Sequence, residues 1–110
     1  MEKVTLFYLE RPDIKISMKI YFNEKGQFYF DGYDCGKQVD NVWGDSDYEY
    51  NYIIEPAEVQ KFYLLFGLQD GDKSALLQEI KMRFGVNEAY TLLGEFMKAN
   101  NIEFSKFTYT

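Results

Sequence analysis

Asp45, Asp47 and Glu49 stand at alternate positions and form the densest run of acidic side chains in the 110 residues. In a strand they would share one face about 6.6 Å apart, because each residue rises roughly 3.3 Å. Carboxylates so spaced can hold a divalent cation, or they can steer a basic partner. An EF-hand loop opening at Asp45 fails, since Tyr50 falls where the sharp turn requires Gly and Pro56 where the bidentate Glu belongs. Nor do neighbours on one strand flank a glycosidic bond from opposite sides, as paired catalytic carboxylates must. Histidine is absent and Cys35 is the single cysteine. The usual general base, the Ser/His/Asp and Cys/His constellations and the commonest zinc ligand are all missing. Gly32, Gly36 and Gly44 match no phosphate-binding spacing. The expectation is a protein that is not an enzyme, with no cofactor and no assigned metal.

Recognition is the chemistry that remains. Between Asp31 and Glu55 seven acids face one base, Lys37, while the rest of the chain balances eleven acids against eleven bases. The net charge of -6 thus belongs to one segment. That segment also carries Tyr33, Trp43, Tyr48, Tyr50 and Tyr52. Rings supply desolvated contact area and carboxylates steer approach, so the segment suits a basic protein surface. The candidate binding residues are Trp43, Asp45, Asp47, Glu49 and Tyr33, with the acids steering and Trp43 and Tyr33 anchoring. Trp43 reads equally as a lid over the core. The stripe Tyr48, Tyr50, Tyr52 reads as half-buried sheet packing or as binding surface.

The same charge disfavours nucleic acid and anionic membranes, both of which need clustered Lys and Arg. The first residues, MEKVTLFYLERPD, lack a basic start followed by an apolar run, and no apolar stretch approaches the ~20 residues that span a bilayer. With one unpaired cysteine, this predicts a cytoplasmic setting.

The elements that must position these residues follow from periodicity. Val4–Leu9 is a short apolar run, and Pro12-Asp13 is a turn signal. Ile14–Phe22 alternates apolar and polar residues as a half-wet strand does. Asn23 to Gly26 is a tight connection, and Gln27–Tyr33 returns as a third strand. Residues 32–46 lack a period and predict a long loop, followed by a strand over about Asp47–Ile54. Pro56 opens a helix that Gly67 ends; Asp72 caps a second, which runs to Phe84. Asn87 is expected to cap a third, with Leu92, Leu93, Phe96 and Met97 buried. A last strand spans Ile102–Tyr109, its change of parity predicting a bulge near Ser105. The fold class is α+β, a single domain in which an antiparallel sheet of four to five strands, a meander plus a C-terminal strand, carries three helices on one face.

Asp34-Cys35-Gly36 followed by the octapeptide Trp43 to Tyr50, WGDSDYEY, resembles an uncharacterised family of small acidic bacterial proteins. There a D-x-G element precedes a G-D-S-D-Y-E-Y strand, and a short strand closes the chain after a helical half. The likeness spans most of the chain, and Cys35 departs from the aliphatic residue expected in D-x-G. It implies a bacterial cytosolic setting and brings no activity. The reading is a protein-binding module, immunity-like or inhibitory, that docks on a basic partner through residues 31–55. Two alternatives stand beside it: a structural or regulatory homo-oligomer, and a metal-binding protein using Asp45, Asp47 and Glu49.

Overall fold

The computed structural model describes residues 2–36 and 47–109. Five strands, β1 (Lys3–Arg11), β2 (Ile14–Phe22), β3 (Phe28–Gly36), β4 (Asp47–Ile54) and β5 (Ser105–Tyr109), form one sheet in chain order. Every neighbouring pair is antiparallel. Three helices, α1 (Pro56–Phe66), α2 (Lys73–Phe84) and α3 (Ala89–Ala99), lie between β4 and β5 in sequence and cover one face of the sheet. The fold is α+β with a five-stranded antiparallel sheet.

The alternation in β2 decides which face is covered. Ile16, Met18, Ile20 and Phe22 are buried with Phe28 and Phe30 of β3 and Tyr50, Tyr52 and Ile54 of β4. Against them pack Val59 and Phe62 of α1, Leu76, Leu77 and Ile80 of α2, and Leu93 and Met97 of α3. Among the described residues the opposite face carries no helix. In β1 the register shifts between Thr5 and Phe7. This bulge brings Leu6 and Phe7 both to the core, which an apolar run alone does not reveal.

The turns follow local chemistry. Asn23 Oδ1 accepts from the amides of Lys25 and Gln27, at 3.0 Å each, and Gly26 takes φ 78° to close the β2–β3 hairpin. Gly67, at φ 67°, ends α1 while the Leu68 amide reaches back to the Tyr63 carbonyl at 2.9 Å. Asp72 caps α2 by accepting from the Ala75 amide.

Four sequence expectations are corrected. β3 runs on to Gly36, taking residues 34–36 out of the expected loop, because β2 pairs with all three and β4 with Asp34 and Cys35. Asn87 is not the cap of α3: the helix starts at Ala89, and Glu88 at its N-cap makes no side-chain cap bond. Leu92 is exposed, since the buried stripe of α3 runs through Ala89, Leu93 and Met97. The final strand has no bulge. Ile102 and Phe104 precede it and turn to the core, while β5 pairs with β4 in unbroken register.

Candidate functional site

The helix-free face is a ladder of cross-strand rungs. Ser17 of β2, Tyr33 of β3 and Glu49 of β4 lie side by side, and Glu49 continues to Tyr109 of β5. The next rung holds Lys19, Asp31, Asn51 and Phe107. The first three side chains of each rung surround a shallow trough of about 310 Å³. Its floor is the backbone of Gly32 and Tyr50, whose side positions belong to the other face.

Beside the trough, Tyr21 Oη donates to Asp31 Oδ2 at 2.9 Å. The Tyr21 ring stacks on Tyr29 at 5.3 Å, and Lys3 Nζ sits 4.6 Å from its centroid. Burial, then the Asp31 carboxylate, pushes the Tyr21 hydroxyl up to about 12. Among the described residues the ion pairs are Lys61–Glu58 and Arg83–Glu79, both on helices. Lys19, Asp31 and Glu49 are therefore not neutralised by salt bridges within the described fold. Lys15 and Lys19 make the β2 half of the face basic, and Asp31 and Glu49 make the β3–β4 half acidic.

Of the predicted binding residues, Tyr33 and Glu49 are brought together as cross-strand partners. Asp47 enters β4 opposite Cys35. Trp43 and Asp45 lie outside the described residues. Tyr50 and Tyr52 do not belong to any surface, being 5% and 4% exposed under the helices. Ser17, Lys19, Asp31 and Asn51 were not singled out for the site. Their signal is the polar half of the β2, β3 and β4 alternation, which becomes a site only once the three strands are placed side by side.

The covered face holds this arrangement in register. Gly32, opposite Tyr50, has no side chain because the Tyr50 ring lies across it, and a Cβ there would overlap that ring. An aromatic covering a strand glycine compensates for the packing the glycine lacks. The ring ends with Tyr50 Oη donating to Asp34 Oδ1 at 2.7 Å. Asp34 opens the D-x-G element and Tyr50 closes the octapeptide, so the two motifs meet through this hydrogen bond. A second staple joins β4 to α3. Tyr52 Oη donates to the Tyr90 carbonyl at 2.7 Å, Tyr90 Oη donates to the Asn51 carbonyl at 3.0 Å, and the rings stack at 4.1 Å.

Burial raises the Asp34 carboxyl, and the hydrogen bond from Tyr50 opposes that rise. A raised acid stabilises the fold fully below about pH 4 and loses that contribution as pH climbs through its folded pKa. Asp34→Asn keeps an oxygen to accept from Tyr50 and removes the ionisation. It is expected to be as stable as the wild type or up to about 1 kcal/mol more stable at pH 7, with its advantage shrinking toward pH 4. Urea midpoints at the two pH values measure this. A variant clearly less stable at pH 7 would mean that the charged hydrogen bond outweighs burial.

The cation set expected of Asp45, Asp47 and Glu49 falls partly outside the described residues. No group of three or more metal-ligating side chains forms among the described residues, and Asp45 lies outside them. No helix among those residues is long and apolar enough to cross a membrane. In comparisons with family models, curated proteins and solved structures, no match to the chain was found.

Proposed function

We propose that the chain is a non-enzymatic protein-binding module that docks on a basic partner through the helix-free face of its sheet, as an immunity-like or inhibitory protein does. The observation carrying this reading is the pairing of Tyr33 with Glu49 beside Asp31, on a face whose charges have no salt-bridge partners within the described fold. Carboxylates without a salt bridge raise the encounter rate with a cationic surface, and a tyrosine beside them offers contact area at low entropic cost. Lys15 and Lys19 refine the partner's chemistry: its complementary surface is mainly basic, with an acidic margin that meets β2. The proposed setting remains the bacterial cytoplasm.

Pull-downs from native lysate with wild type and an Asp45→Ala/Asp47→Ala/Glu49→Ala variant test the reading. The wild type is expected to retain a basic protein that the variant loses, and 0.5 M salt should release it. Equal recovery of the same protein by both would remove this segment from recognition.

A further inference from the structure

The two edges of the sheet are protected unequally. β1 carries a bulge between Thr5 and Phe7, charges at Lys3, Glu10 and Arg11, and Pro12 at its end. Each of these discourages another strand from pairing. β5 has none of the backbone devices: its register is regular, it holds no Pro, and Lys106 is its one charge. All five of its residues are exposed, with Phe107 at 46% and Tyr109 at 58%.

This edge is also held in place before any partner arrives. Glu58 Oε1 accepts from the Glu103 amide at 2.8 Å, and Lys61 Nζ donates to the Asn101 carbonyl at 2.7 Å, fixing the chain that leads into β5. Within the strand, the Phe107 amide donates to Asn51 Oδ1 at 3.1 Å. A pre-ordered strand loses little entropy on pairing.

We propose that β5 pairs antiparallel with β5 of a second copy, about a two-fold axis through Phe107. In that register Phe107 faces Phe107, Lys106 faces Thr108, and Ser105 faces Tyr109, so no like charges meet. Residues of equal parity oppose one another, and the outward amides and carbonyls of the two edges therefore match. An axis through Lys106 would set two ammonium groups opposite each other, and one through Thr108 would shorten the overlap. The pairing is isologous, and it joins two five-stranded sheets into one with two helix-free faces side by side. Five residues bury much less than the roughly 1,200 Å² of a stable interface, so the dimer is weak, with a Kd on the order of tens of µM. Because each copy carries -6, screening by salt strengthens it, opposite to the salt response of a basic partner.

Sedimentation velocity and disulfide trapping test the register. The wild type is expected to pass from monomer near 1 µM to dimer at several hundred µM, with more dimer at 0.2 M than at 0.02 M salt. In a Cys35→Ser background, Phe107→Cys should cross-link under mild oxidation at least tenfold faster than Lys106→Cys or Tyr109→Cys, whose counterparts sit farther along the partner strand than the directly opposite residue. Circular dichroism confirms that each variant is folded. A monomer at every concentration, or equal cross-linking at the three positions, would overturn the proposal. Neither result bears on the helix-free face.

Discussion

Gly32→Val is expected to destabilise the fold by about 3 kcal/mol or more, lowering Tm by roughly 10–15 °C in a chain of this size. Valine is ordinarily welcome in a central strand, and glycine there is ordinarily a weakness. Here the order reverses because the Tyr50 ring occupies the space a Cβ would take. Displacing the ring also breaks its hydrogen bond to Asp34 and disturbs its contacts with Tyr48 and Tyr90. A double-mutant cycle separates overpacking from general strand disruption. Tyr50→Ala removes the obstacle, so Gly32→Val should cost at least about 1 kcal/mol less in that background. Equal costs in the two backgrounds would show that the ring is not the constraint. The pairing matters for recognition, because a one-residue slip of β4 would carry Glu49 from Tyr33's face to the core.

Alkaline unfolding should be steep and should carry the tyrosines with it. Burial first, and then the Asp31 carboxylate, raises Tyr21 to about 12, and burial raises Tyr50 and Tyr52 further. These folded-state pKa values lie above the unfolded value near 10, so the stability they contribute is complete below pH 10 and lost as pH rises through them. Urea midpoints are expected to be nearly flat from pH 7 to 9.5 and to collapse between pH 10 and 12. Absorbance at 295 nm should show part of the tyrosine signal appearing only with unfolding, as one cooperative step. Complete titration near pH 10 while circular dichroism remains native would contradict the packing described for Tyr50 and Tyr52.

The elements with strong local signals were legible. β2 and β4 came from alternation, the end of α1 from Gly67, and the cap of α2 from Asp72. What misled was tertiary. Residues 34–36 lack a hydrophobic period, yet they are strand because β2 pairs with all three and β4 with Asp34 and Cys35. The changed parity of the C-terminal segment resembled a bulge, but the turn to the core comes before the strand begins. Asn87 offered a cap that the backbone two residues later did not use.

The site was half legible. Acidic residues and rings could be counted, but which face each ring took depends on where the helices lie. Tyr50 and Tyr52 went inward to close the core, while Tyr33 stayed beside Glu49. Lys19 entered through register, as the neighbour of Asp31 across β2 and β3. No reading of segment 31–55 alone could have placed a base from β2 in the trough.

The most direct test of the docking face is an amide-shift map of the isotope-labelled chain, titrated with the basic protein that the pull-down recovers. The largest shifts should fall on Ser17, Lys19, Asp31, Tyr33, Glu49 and Asn51, with α1, α2 and α3 nearly silent. Shifts concentrated on the helices, with these six amides unmoved at saturation, would contradict docking through the uncovered side of the sheet.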